Sequence, residues 1–278
     1  MNGTIALALG ALVFLVLGSA ANVVIARLPR QLSEPNRFGE LWDTNPWTDV
    51  VAGRSRCDSC GAEVAARDNI PVVSFIVLRG RCRSCGAEIP RHHLAVELGS
   101  VALFLWAVVV VGWSWVLLPL LIVILPGLVI AAIDFATLMV PTRIVWPTFI
   151  LVVVSCTAAA GGLGEWRRML AAAVGLVVLA GPLFAIWFLY PKGMGFGDVR
   201  LAVMLGPLVG FAAGTGLVDA AMLALVAMCL SAVVGLIIGV TVLGARGRKA
   251  KVPFGPSMIL GCWLCALYAS DILAPITG

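Results

Sequence analysis

Trp115-Val-Leu-Leu-Pro-Leu-Leu-Ile-Val-Ile-Leu-Pro-Gly-Leu-Val-Ile-Ala-Ala-Ile133 is a run of 19 residues without a charge, and Asp134 follows it directly. A helix of about 20 apolar residues crosses the hydrocarbon core of a bilayer. In lipid it satisfies its own backbone polar groups. Comparable runs recur outward from this one, at residues 4–25 and 94–111 before it and at 144–160, 169–190, 199–211, 217–243 and 254–273 after it. The 278 residues are 61% hydrophobic and 12% charged, too few polar side chains to coat a soluble globule. The fold class is therefore an all-α polytopic membrane protein with about eight transmembrane helices, seated in a lipid bilayer. The run at 199–211 is the shortest and contains Pro207.

A net charge of +5 reflects topology here, not nucleic acid as a partner. Eight spans sort the connections to two sides. Segment 26–93 with Arg143, Lys192, Arg200, Arg246, Arg248, Lys249 and Lys251 carries 17 of the 19 Lys and Arg; the other side holds Arg167 and Arg168. The positive-inside rule puts the rich side in the cytoplasm and both termini outside. The first run has no side-chain charge ahead of it and Arg27 and Arg30 behind it. A secretory signal has the reverse order, so this run reads as a retained helix. Trp113 and Trp115 sit in a short turn as interfacial anchors.

The chain divides into a first helix (1–25), a small cytoplasmic insertion (26–93) and a membrane domain (94–278). The insertion is polar, with turn signals at Glu34-Pro35-Asn36 and Asn45-Pro46. At this size an unaided hydrophobic core is marginal. A staple is present in Cys57-Asp-Ser-Cys60-Gly and Cys82-Arg-Ser-Cys85-Gly. Two such knuckles supply the four-thiolate tetrahedron that suits structural zinc, with no position left open for catalysis. Disulfides or free thiols are the alternatives, and a reducing cytoplasm disfavours the former. His92 and His93 read as polar residues at the membrane boundary. Cys156, Cys229, Cys262 and Cys265 read as small packing residues.

From residue 94 onward the acidic residues are Glu97, Asp134, Glu165, Asp198, Asp219 and Asp271. Ionisable groups near membrane depth are costly and call for a reason. Glu165, Asp219 and Asp271 fall on the external side as solvated boundary residues. Glu97, Asp134 and Asp198 fall on the cytoplasmic side, Glu97 as an interfacial structural residue. Asp198 ends Gly193-Met-Gly195-Phe-Gly197-Asp198, whose glycines permit unusual dihedrals and close approach of an extended substrate. Either aspartate alone reads as a cap or an interfacial charge. Together on one side they form a pair able to share a proton and hydrolyse a peptide bond. No HExxH helix or GxSxG elbow competes. A proton-coupled transporter is the alternative class, since paired membrane carboxylates also relay protons.

The chain resembles the bacterial prepilin peptidases, or type IV leader peptidases, on Gly18-Ser19-Ala-Ala-Asn22, Arg27-Leu-Pro29, both knuckles, Asp68-Asn69-Ile-Pro71, Leu78-Arg-Gly-Arg-Cys82, Val96-Glu97, Ile133-Asp134, Gly193 to Asp198, and Val252-Pro-Phe254-Gly255-Pro256. The resemblance implies a GxGD-type aspartyl protease of the bacterial inner membrane with Asp134 and Asp198 catalytic. It implies prepilins and type II secretion pseudopilins as protein substrates, cut on the cytoplasmic side after the glycine of a short basic leader. It further implies S-adenosylmethionine-dependent N-methylation of the new N-terminus, without designating cofactor residues; a peptidase lacking that second activity is the narrower alternative. Two positions depart from the family pattern: Thr142 follows Pro141 where an aspartate is common, and Arg200 replaces the usual lysine.

Overall fold

The computed structural model describes residues 3–31, 50, 53–57, 59–246 and 252–277. The turn signals at 34–36 and 45–46 and the basic residues Arg248, Lys249 and Lys251 lie outside them. Every run expected to be helical is helical. The helices are α1 (Gly3–Gln31), the short α2 (Val73–Val77), α3 (His92–Val111), α4 (Leu117–Thr137), α5 (Thr142–Leu163), α6 (Arg167–Leu189), α7 (Phe196–Ala212), α8 (Leu217–Arg246), α9 (Gly255–Leu267) and α10 (Ala269–Thr277). Six are long and apolar enough to cross a membrane, and α9 with α10 gives a seventh if their 71° bend is taken as a break within one span. The remaining expected span, α7, has 17 residues and a different environment from the others.

Two compact units are present, Met1–Trp106 and Ala107–Gly278. In the first, α1 packs on α3 through small residues. A Cβ on Gly10 would strike the Phe104 ring, and one on Gly18 would lie 2.5 Å from Ser100 Oγ. Phe14 stacks on Phe104 with centroids 4.9 Å apart, and Ser100 Oγ donates to the Phe14 carbonyl at 2.8 Å. Such close backbone approach is how helices associate when burial in lipid offers no hydrophobic gain.

In the second unit α7 is the central helix. It packs against α5, α6, α8 and α9, and nearly every residue from Val199 to Phe211 is buried. Gly206 and Gly210, one turn apart on α7, meet Ala171 and Gly175 of α6. A Cβ on Gly175 would stand 2.5 Å from the Gly206 carbonyl oxygen, and one on Gly210 would run into the Ala171 carbonyl. This small-xxx-small contact brings the two backbones together. Outward-facing Val177, Phe188, Leu236 and Ile237 are exposed on α6 and α8, as lipid-facing side chains are. Trp113 and Trp115 are exposed too, and the Trp115 ring lies where a side chain on Gly162 would go.

Candidate active site and metal centre

Asp134 sits in the last turn of α4, and its carbonyl accepts the Leu138 amide at 2.8 Å where Leu138 turns into the left-handed region, φ 58°. Its side chain is 5% exposed. The carboxylate Oδ2 accepts the backbone N–H of Gly255 at 2.9 Å. Gly255 opens α9 and Pro256 follows it, so the carboxylate faces a helix N-terminus, where free amides and the helix dipole favour negative charge. A Cβ on Gly255 would lie 2.6 Å from that same oxygen. Only glycine lets the strand of backbone come this near.

Asp198 occupies the first turn of α7, its amide bonded to the Gly195 carbonyl at 3.3 Å. It lies close enough to Asp134 for the two charges to act on each other. The contact that brings them together is local. Gly197 abuts Val140, in the turn after Asp134, at a distance that would put a Cβ 2.9 Å from the valine Cβ. Gly193 is likewise pressed on the Tyr190 ring, whereas a Cβ on Gly195 would meet only the Gly197 nitrogen, at 4.0 Å. None of the three has a positive φ. The expected unusual dihedrals are therefore absent, and close approach is what Gly193 and Gly197 provide.

The two departures from the family pattern meet in space. The buried Arg200 guanidinium donates to Thr142 Oγ1 and lies over the Phe196 ring, 4.9 Å from its centroid. It thereby joins the start of α5 to the start of α7, the segments that flank the aspartates. Gly255 and Arg200 do their work through contacts distant in sequence. Gly255 was signalled by the Gly-Pro start of a helix and by its place in the Val252–Pro256 motif of the resemblance.

In the first unit each cysteine knuckle is a minimal hairpin. Cys57 and Cys82 N–H donate to the Ala62 and Ala87 carbonyls, Gly61 and Gly86 N–H return to Cys57 and Cys82, and Val64 and Ile89 N–H close on Ser55 and Gly80. Gly61 and Gly86 adopt φ 70° and 72°, which only glycine takes without strain. The ligand atoms of Cys57, Cys60, Cys82 and Cys85 all lie within 4.8 Å of one another. Cys57 Sγ and Cys85 Sγ are 3.8 Å apart, the edge of a tetrahedron built on Zn–S bonds of ~2.3 Å and far beyond an S–S bond. The amides of Cys60 and Ser59, with the Cys82 side chain, hold the Cys57 thiol down at about 6. The Ala87 amide pulls on Cys85 the same way, but the neighbouring thiols and desolvation outweigh it and push Cys85 up to about 11. Four sulfurs at this spacing can share one divalent cation.

The other cysteines divide. Cys156, Cys262 and Cys265 are buried packing residues, but Cys229 is exposed on α8 and packs against nothing that hides it. His92 and His93 stack on each other at 4.5 Å at the start of α3, outside the sulfur cluster. Glu97, 8% exposed, accepts the Val72 amide at 2.7 Å. That bond holds a β-branched residue at φ 60°, a costly conformation without such support.

Residues 12–111 match the family described as the Bacterial Peptidase A24 N-terminal domain, and residues 120–240 match the Type IV leader peptidase family. A Stutzerimonas stutzeri protein is 30% identical over 94% of this chain and 90% of its own length. Proteins of Pseudomonas putida and Bacillus subtilis are 29% and 27% identical, covering 98% and 94% of this chain and 92% and 93% of theirs. All three carry the name prepilin leader peptidase/N-methyltransferase. No solved structure matches the chain.

Proposed function

Because the chain belongs to the type IV leader peptidase family, we propose that Asp134 and Asp198 are the pair of carboxylates with which it cleaves prepilin leaders. The chain is a membrane peptidase that processes prepilins. The observation that carries the assignment of its residues is a buried carboxylate held against the α9 amide within charge range of a second. Two carboxylates so placed share one proton. The ionised one takes a proton from water, whose oxygen attacks the scissile carbonyl. The protonated one donates a hydrogen bond to that carbonyl oxygen. As the C–N bond breaks, a carboxyl proton passes to the departing amine, and the pair returns to its singly protonated state. The Gly255 amide holds Asp134 in place, and the Gly193–Gly197 stretch gives an extended substrate a backbone to lie along.

Four cysteines within metal-binding reach fit zinc by softness and geometry. Held by all four thiolates, an ion would brace the insertion and would leave no position for water. The relatives' names pair cleavage with N-methylation, for which S-adenosylmethionine supplies a sulfonium methyl that the lone pair of a neutral N-terminal amine can attack, the S–C bond pair staying on sulfur. A cavity in the first unit with an orphaned buried oxygen, Asn22 Oδ1, fits such a polar ligand. We place the enzyme in the inner membrane with insertion and aspartates cytoplasmic and both termini external, on the distribution of Lys and Arg. The substrates are prepilins and pseudopilins.

Co-expression with a prepilin tests the function. Intact mass of the pilin falls by that of its basic leader and rises by 14 Da from one methyl group. A prepilin left at full length beside the expressed enzyme would refute the peptidase reading; a cleaved but unmethylated product would refute methyl transfer alone.

A further inference from the structure

The first unit contains a cavity of about 850 Å³ between the C-terminal part of α1, the start of α3 and the insertion. Its size lies within the ~300–1,000 Å³ typical of small-molecule sites and far exceeds an ion. Two of its walls carry unsatisfied demands. Asn22, 4% exposed, donates from Nδ2 to the His93 carbonyl at 3.0 Å, but its Oδ1 is buried with no hydrogen-bond partner. Glu97, 8% exposed, has the Val72 amide on Oε2 and no cation paired with it among the described residues. A buried carboxylate without a counter-charge and a buried acceptor without a donor are each expensive. One ligand answers both if it carries positive charge and N–H donors.

The remaining lining narrows the ligand. Phe75, Leu78 and Leu94 offer an apolar surface for a flat ring, and the Arg83 guanidinium edges the opening while gripping Asp68 at 2.7 and 2.8 Å. Cys57 and Cys82 also line the space, so the cysteine knuckles form part of one wall. A sulfonium amino acid joined to a nucleoside has each matching part: cationic sulfur and ammonium, amine hydrogens, a carboxylate and an aromatic base. Resting on the methyl-transfer reading above, we propose that this cavity is the S-adenosylmethionine site, with Glu97 as counter-anion to the ligand's positive charge and Asn22 Oδ1 as acceptor of a ligand N–H. Glu97 then has two duties, holding the Val72 turn through Oε2 and supplying charge to the cavity.

The test is calorimetric binding of S-adenosylmethionine and S-adenosylhomocysteine to the purified full-length zinc-loaded protein, followed by ultraviolet cross-linking of methyl-labelled S-adenosylmethionine. Glu97→Gln keeps an oxygen for the Val72 amide and removes the charge. Asn22→Asp keeps an oxygen at the orphan position but loses the donor to His93, and Ala26→Trp fills the cavity with an indole. Zinc content and the ligand-free melting temperature show that each variant folds. Expected is binding weakened at least about tenfold in Glu97→Gln, more for S-adenosylmethionine than for the uncharged-sulfur product, with binding lost in Ala26→Trp. Label cross-linked to a peptide containing α1 or the insertion is expected as well. Folded Glu97→Gln and Ala26→Trp proteins that bind like the wild type would overturn the site while leaving methyl transfer standing. The site is equally overturned if the variants weaken binding only of a peptide with the mature pilin N-terminus. A wild-type protein that binds neither compound and leaves the pilin unmethylated removes the methyl-transfer reading itself.

Discussion

Replacing Gly255 with alanine adds one methyl group at the place where the structure has least room beside Asp134. The new Cβ would stand 2.6 Å from Oδ2, and ordinary contact begins at 3.4 Å. Either the carboxylate retreats by most of an ångström or the start of α9 does, and both stretch the 2.9 Å bond from the Gly255 amide. Misplacing a reacting group by ~1 Å costs on the order of 10²-fold in rate. Loss of a hydrogen bond to a charged group, about 1.5–3 kcal/mol, gives the same scale. These are two views of one displacement and do not add. The assay is kcat/KM for leader removal from a detergent-solubilised prepilin by purified enzyme, with zinc content and helicity as controls for folding. Gly181→Ala, on α6 with nothing within 4 Å of its added Cβ, serves as the matched control and should stay within about twofold. A folded Gly255→Ala enzyme within about threefold of wild type would show that the Gly255 amide does not hold a reacting carboxylate.

Replacing Cys57, Cys60, Cys82 and Cys85 together by serine should take bound zinc, measured by mass spectrometry of the metal, from one per chain to none; full occupancy would exclude the cluster as the site. Gly210→Leu forces a side chain into the Ala171 carbonyl and should lower stability by roughly 1–3 kcal/mol, read as a fall in melting temperature in detergent. Thr142→Val removes the acceptor that Arg200 uses to join α5 to α7, a hydrogen bond to a charged group worth about 1.5–3 kcal/mol, while Thr142→Asp should retain the link. Equal melting temperatures for the Val and Asp variants would show that the pair carries no stability.

The helices were legible because a bilayer demands long uncharged runs, and the knuckles because two thiols on a glycine turn have a fixed spacing. Elimination by charge and side left Glu97, Asp134 and Asp198, and the local motifs selected the two aspartates as candidates. It did not reach Gly255, whose amide comes from 121 residues away along the chain, a contact no local pattern encodes. Nor does hydropathy separate α7 from its neighbours, since lipid and protein interior demand the same apolar side chains. The glycines at 206 and 210 carried that information, as a stripe permitting close packing. Of the two reasons for glycine in the stretch ending at Asp198, close approach applies, to Tyr190 and Val140 within the protein, and left-handed dihedrals do not. Glu97 was visible as an interfacial structural acid but not as the support of Val72, because a β-branched residue gives no sequence sign of a positive φ.

Two carboxylates that act as one unit should fail together. Asp134→Asn and Asp198→Asn keep size and hydrogen bonding while removing the shared proton. Each should lower single-turnover leader cleavage by about 10²–10⁴-fold, the range for an acid or base held at a reacting bond, and the double variant should be scarcely worse than either single one. Cleavage at the wild-type rate by both folded single variants would show that the two carboxylates are not the reacting pair.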